Sequence, residues 1–389
     1  MLSRRIEKLS ASMTIAITTL ALELKAQGKD ILSFSAGEPD FDTPKVIKEE
    51  AKRALDEGKT RYTAVAGIPE LLDAIAGKLK RDNGLDYTRE MIQTNNGAKH
   101  SLFNLFQALV DEGDEVIIPA PYWVTYPELV KYSGGKVVVI ETSDKTNFKI
   151  TPEQLREAIT LKSKILVLNS PSNPTGSVYS KEELEAIGEV LKGTDIIIFS
   201  DEMYEKLVYG GVKFTSTASI SEDMYHRTVT INGLSKSVAM TGWRFGYLAT
   251  PNIDLVKAMN RLQSQSTSNI NSITQVAAIK GLDGSVDEDI ESMRKVFEQR
   301  RDRAVELIED IDRLSVIKPD GAFYLFINIK GLTKDSMDFS KKLLESEGVA
   351  VVPGIAFGAE GYIRFSFATD INTIEEGIKR LKRFIDKNY

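Results

Sequence analysis

The chain contains no cysteine and only two histidines in 389 residues. The first absence excludes a disulfide framework, thiolate metal sites and a cysteine nucleophile, and it fits a reducing compartment. The second leaves His100 and His226 as the whole imidazole supply, and neither has another ligand-type residue at metal spacing, so no metal site is expected. There is no excess of basic residues: the net charge is −6 and the pI about 5.4, which offers no footprint for a nucleic-acid backbone. Neither a Walker A loop nor a Gly-x-Gly-x-x-Gly fingerprint occurs. Internal repeats, low-complexity tracts and Pro/Gly-rich linkers are also missing.

What is present is ordinary soluble composition, 42% hydrophobic and 27% charged, in a chain long enough for two domains. The uncharged stretch from Ser10 to Leu22 continues as Glu23-Leu24-Lys25 with apolar residues at helical spacing. It therefore reads as an amphipathic helix ended by Gly28 rather than as a secretory leader, and the cytoplasm is the expected compartment. A short strand is expected over 30–34, and helices over 44–57 and 69–82, the latter opened by Pro69 and closed by Asn83-Gly84.

From Met91 onward, seven apolar runs (91–95, 115–120, 136–140, 165–169, 196–200, 228–231 and 243–249) alternate mostly with helical segments such as 98–111, 122–133 and 181–192. Runs this apolar predict strands covered on both faces, hence an α/β fold around a seven-stranded, mostly parallel sheet. The last two are too close in sequence for a helical crossover, so one strand is expected to be antiparallel. Beyond Pro251 come long amphipathic segments (252–266, 273–281, 286–310), strands at 322–329, 349–352 and 362–366, and a final helix at 371–387, the pattern of a smaller α+β domain. The expected division is 1–40 as a segment returning to the small domain, 41–285 as the large domain and 286–389 as the small one.

The candidate chemistry collects around Asn232–Gly246, NGLSKSVAMTGWRFG, which places Lys236 in a strand-to-strand connection and Arg244 eight residues later. A lysine in a loop is by itself a solvated charge; its companions change the reading. DIIIFSD ends a buried strand on Asp201 with Tyr204 beyond it, KILVLNSPSNPTG runs into Asn173, and Arg364 interrupts the apolar strand YIRFS, where a charge is costly unless paired. With Ser35-Ala36-Gly37-Glu38-Pro39-Asp40, these motifs resemble, in order and spacing, the pyridoxal-phosphate (PLP) enzymes of the bacterial aspartate aminotransferase type, class I and fold type I. The resemblance covers nearly the whole chain.

That resemblance implies the following roles. Lys236 holds the PLP aldehyde as a Schiff base and moves the substrate proton. Asp201 keeps the ring nitrogen protonated, and Tyr204 and Asn173 serve the phenolic oxygen. Trp123 stacks on the ring. The helix start at Gly97, Ala98 and Lys99, with Ser235 and the bidentate Arg244, takes the phosphate. Arg364, Gly37, Asn173 and Trp123 receive the substrate, with Lys99 and Ser12 toward its side chain, while Tyr62 reaches the neighbouring subunit of a homodimer. Two positions depart from the family pattern: Gly233 stands where many relatives carry Ser or Thr, and Ser268-Asn269-Ile270-Asn271 lacks a proline.

The activity implied is an aminotransferase acting on L-aspartate and 2-oxoglutarate. An aromatic or prephenate aminotransferase and a PLP lyase on the same fold are the alternatives. Ser10 tilts toward aspartate, because prephenate users in the family tend to carry a basic residue near it. A PLP-sensing regulator domain is disfavoured because no part of the chain remains for a DNA-binding module, and a cofactor-free binding protein would be colourless.

Overall fold

The computed structural model describes residues 2–10 and 13–389. Ser12, expected near the substrate side chain, lies outside the described residues. After the helix Met13–Ala26, a two-residue strand, β1 (Leu32–Ser33), leads into the loop 34–43. The large sheet is built from β2 (Ile92–Asn96), β3 (Glu115–Ala120), β4 (Lys136–Glu141), β5 (Ser163–Asn169), β6 (Ile197–Asp201), β7 (Thr228–Gly233) and β8 (Phe245–Ala249). Its order is β2-β8-β7-β6-β5-β3-β4. Every neighbouring pair is parallel except the two made by β8, which runs antiparallel to both β2 and β7.

This topology decides where chemistry can collect. The C-terminal ends of β2, β3, β5, β6 and β7 and the N-terminal start of β8 all reach one edge of the sheet, the edge where open α/β sheets hold their ligands. Parallel register sets Asn169 beside Asp201 and Asp201 beside Ile231 on that edge. Apart from the edge strand β4, which is largely exposed, the strands are buried on both faces because helices such as Ala98–Leu109 and Lys181–Leu191 cover them.

A second sheet of order β12-β13-β10-β9 (β9 Ser315–Val316, β10 Tyr324–Asn328, β12 Val352–Pro353, β13 Tyr362–Ser366) lies beside the first, and β11 (Val349–Ala350) pairs in parallel with β1. One apolar cluster runs through both sheets, joining Leu102 and Phe199 to Phe323 and Phe365. Phe34 stacks on Phe365 with ring centroids 4.0 Å apart.

Several element boundaries differ from the sequence reading. The strand expected at 243–249 begins at Phe245 because Arg244 takes a left-handed φ of 57°, and that expected at 322–329 begins at Tyr324, after Ala322 at φ 57°. The helix expected from 122 starts at Thr125, which leaves Trp123 in the preceding turn. The expected strand 349–352 is split, one part pairing with β1 and the other with β13. Helices Pro152–Ala158 and Glu222–Arg227 and strand β9 were not expected; each is short, and such lengths carry little periodic signal.

Gly377, inside the last helix (Ile371–Asn388), lies against the Phe34 ring, which a β-carbon there would overlap. Helix propensity alone favours Ala over Gly by about 1 kcal/mol, whereas overpacking a rigid aromatic stack costs about 1–3 kcal/mol. Gly377→Ala is therefore expected to lower the urea-unfolding midpoint. A raised midpoint would show that the Phe34–Phe365 stack yields more easily than its burial implies.

Candidate active site

The cleft at this sheet edge has a volume of about 480 Å³ and extends to β13 and the loop 35–38. Lys236 enters it from the turn after β7, and its Nζ donates to the Gly37 carbonyl at 2.5 Å. The same ammonium lies 6.0 Å from the Tyr204 ring and 5.9 Å from the Phe323 ring. Burial first, and then the guanidinium groups of Arg364 and Arg244, outweigh Glu38 and Asp201 and bring its pKa down to about 8.

Asp201, at the end of β6, is 5% exposed. Its carboxylate accepts from the Tyr126 hydroxyl at 2.6 Å and from the Met203 N–H at 3.3 Å. Burial raises its pKa despite these donors and the field of Lys236. Asn169 braces the turn, its amide donating to the Asp201 carbonyl and its oxygen accepting the Asn173 N–H.

Arg364 is buried in β13, where strand alternation sends Ile363 and Phe365 to the opposite face. It donates to Asn173 Oδ1 at 3.0 Å and to the Ser35 carbonyl at 2.7 Å, while its Nε finds no hydrogen-bond acceptor among the described residues. Its guanidinium sits 4.4 Å from the Tyr324 ring and 5.1 Å from the Phe357 ring.

At the other end of the cleft, the helix Ala98–Leu109 starts directly after β2, and its first N–H groups are open to an anion. Gly97 has φ 78°, and a β-carbon on it would run into the Arg244 guanidinium. Arg244 donates to the Thr241 and Asn96 carbonyls, so its left-handed backbone is held in place from both sides of the loop. Ser235 lines the same end. Lys99 places its ammonium 5.0 Å from the Trp123 ring, and partial desolvation and then Arg244 lower its pKa.

Lys236, Asp201, Tyr204, Gly37, Ala98, Lys99, Trp123, Asn173, Ser235, Arg244 and Arg364 thus line one cleft, with Gly97 in contact with Arg244 behind it. Tyr62 does not join them; it is 91% exposed on another face of the chain. Gly233 does not line the cleft either, its N–H donating to Asn232 Oδ1. Sequence reasoning missed Tyr126, the hydroxyl on Asp201, and Tyr324, which shares a 2.9 Å hydrogen bond with Tyr204. The position of Tyr126 three residues after Trp123, before an apolar helix turn, was the only available signal, and a lone tyrosine in an apolar run reads as core.

The electrostatics are lopsided. Lys236, Arg244 and Arg364 donate only to neutral acceptors, and Lys99 meets an aromatic face. Such a set suits a ligand carrying several negative charges, a helix N-terminus and arginine suit a phosphate, and a buried carboxylate of raised pKa suits a protonated ring nitrogen. The residues therefore fit a phosphorylated pyridine coenzyme. Among the described residues there is no metal-holding cluster of His, Cys, Asp or Glu, and no helix is long and apolar enough to cross a membrane.

Fold and site together define a class, and comparison with known proteins places the chain in it: the model for aminotransferase classes I and II matches residues 29–381, and the chain belongs to that family. It is 50% identical, over 392 aligned residues covering 100% of this chain and 99% of the relative, to the aspartate aminotransferase of Bacillus subtilis (strain 168). It is 46% identical over 394 residues, 98% of each chain, to the aspartate/prephenate aminotransferase of Cereibacter sphaeroides. The solved structure of the Thermus thermophilus aspartate aminotransferase with maleate superposes with a TM-score of 0.95 at 44% identity, covering 99% of each chain. The protein is accordingly a PLP-dependent aminotransferase.

With a pKa of about 8, the free Lys236 amine is about a tenth neutral at pH 7 and about nine tenths neutral at pH 9. In protein stripped of coenzyme, reductive trapping of Lys236 by a small aldehyde is expected to accelerate through pH 8, followed by peptide mass spectrometry. A midpoint at the ordinary lysine value near 10.4 would contradict the desolvated setting.

Proposed function

We propose that the enzyme moves the amino group of L-aspartate to 2-oxoglutarate with pyridoxal 5′-phosphate held in this cleft. One observation carries the choice of substrate: beyond Arg364, which suits an α-carboxylate, and apart from Lys236 and Arg244, which this reading gives to the coenzyme, the cleft holds a further cation, Lys99, beside Trp123 and with no carboxylate partner among the described residues. Two separated cations match the two carboxylates of aspartate. The names of the relatives point the same way, and the aspartate/prephenate relative makes prephenate, another dicarboxylate, the second reading.

When bound, pyridoxal phosphate supplies the electron sink that drains charge from the substrate Cα. The protein does the rest. Ala98 N–H, Ser235 and Arg244 would take the phosphate, and Trp123 would flank the ring. Asp201, oriented by Tyr126, would hold a proton on the ring nitrogen, and Tyr204 with Asn173 would donate to the ring oxygen. Lys236 Nζ, lowered in pKa by burial, is suited to carry the proton to and from Cα at neutral pH. Arg364 fixes the carboxylate and with it the orientation of the Cα–H bond.

Tyr62, exposed on the surface, supports a homodimer in which each chain lends this hydroxyl to the other's cleft, and the exposed Leu20 and Leu22 offer apolar surface for such packing. The division at residue 285 belongs to the same reading, with the helix Asp287–Glu309 starting the small domain. The cytoplasm is the compartment proposed.

A single-turnover assay tests the reaction. L-Aspartate added to coenzyme-loaded enzyme is expected to yield one equivalent of oxaloacetate, and Asp201→Asn to slow this by about 10²-fold or more. Pyruvate or free ammonia as the product would favour a lyase. A near-normal rate in the Asp201 variant would remove that residue from its role.

A further inference from the structure

Tyr324 has no part in the roles described so far, yet it touches three of the groups that do. It is 1% exposed, and its hydroxyl lies 2.9 Å from that of Tyr204. Its ring lies under the Arg364 guanidinium at 4.4 Å. A β-carbon on Gly37, whose carbonyl receives Lys236, would come within 2.9 Å of the same hydroxyl, so the loop passes directly over it. The residue is also held firmly. Ala322, two positions earlier, is left-handed at φ 57°, with its N–H donating to the Leu207 carbonyl and its own carbonyl accepting from the Tyr209 hydroxyl at 2.5 Å. Strain of this kind persists only where the surroundings fix it.

A phenol has one proton to give. If Tyr204 donates into the cleft, the hydrogen bond between the two tyrosines must run from Tyr324 to Tyr204. The cation over the Tyr324 ring makes its hydroxyl the stronger donor, and a donor that itself accepts a hydrogen bond is strengthened in turn. We propose that Tyr324 is a positioning residue of the transamination site, donating to Tyr204 and so setting the direction and strength with which Tyr204 donates to the coenzyme's ring oxygen. This rests on the pyridoxal-phosphate assignment above. The charged and titratable groups facing the pair are Arg364 from β13, Asp201 from the end of β6, and Lys236 from the turn after β7.

The test is a pH titration of the visible absorbance band of the coenzyme-loaded protein, which reads the proton held between Lys236 and the ring oxygen rather than turnover. Tyr324→Phe keeps the ring under Arg364 and removes only the hydroxyl. With Tyr204 deprived of its donor, charge on the ring oxygen is less well stabilised and the proton is held more tightly, so the midpoint is expected to rise by about half a unit. In a Tyr204→Phe background the same substitution is expected to cause no shift, because the path runs through that hydroxyl. No shift in the otherwise unaltered protein, or an equal shift in both backgrounds, would overturn the proposal. Failure of the coenzyme assignment is distinguishable, because unaltered protein would then show no visible band with pyridoxal phosphate.

Discussion

The constraint on which this structure turns is the cost of keeping cations in a cleft with too few anions. Lys99, Lys236, Arg244 and Arg364 share the cavity with Asp201 and Glu38, and Glu38 is occupied with the Thr241 hydroxyl. Lys99 and Arg244 stand at the open mouth, but Arg364 is buried and Lys236 half-buried. Burying a charge without a partner costs several kcal/mol, so a chain gains nothing in stability from placing these two there. Elsewhere among the described residues buried cations are paired, as with Lys78 and Glu205 or Arg300 and Asp40. The exceptions, Arg364 and Lys236, are confined to the sheet edge where open α/β sheets hold their ligands, so a negatively charged ligand would supply the partner they lack.

The loop 35–43 manages the cations within the chain. Its Ser35 and Gly37 carbonyls accept Arg364 and Lys236. Farther along, Arg300 grips Asp40 through two hydrogen bonds at 2.7 and 2.9 Å, and Thr43 donates to the Ala239 carbonyl. The loop is thereby tied to the helix Asp287–Glu309 at one point and to the lysine turn at another. Carbonyls are weak enough acceptors to be exchanged for carboxylate oxygens, which form the stronger charge-assisted bonds. Arg364 can therefore exchange a carbonyl for a carboxylate oxygen without being left bare.

Much of this was legible in the sequence. The apolar runs identify a sheet covered on both faces, and the short connection between β7 and β8 correctly requires one antiparallel strand. Asp201 and Arg364 stand out because each is a polar group at the end of, or within, an apolar run, whereas Lys236, Asn173 and Arg244 are picked out only by the order and spacing of motifs that resemble the family. Strand order is another matter. That β8 lies between β2 and β7, which brings Arg244 beside Gly97, depends on pairing between residues some 150 positions apart, and local pattern carries no record of it. The left-handed backbones of Arg244 and Ala322 are similarly set by tertiary contacts. Tyr126 and Tyr324 stayed hidden because a tyrosine's apolar ring satisfies the core pattern, while the destination of its hydroxyl is fixed only by the fold.

Central to all of this is that the coenzyme attaches at the one ε-amino group held against the Gly37 carbonyl. Reducing the loaded protein with borohydride, digesting it and sequencing the labelled peptide tests that claim directly. The label is expected on Lys236 alone. Label on Lys99 or any other lysine, or none at all, would contradict it.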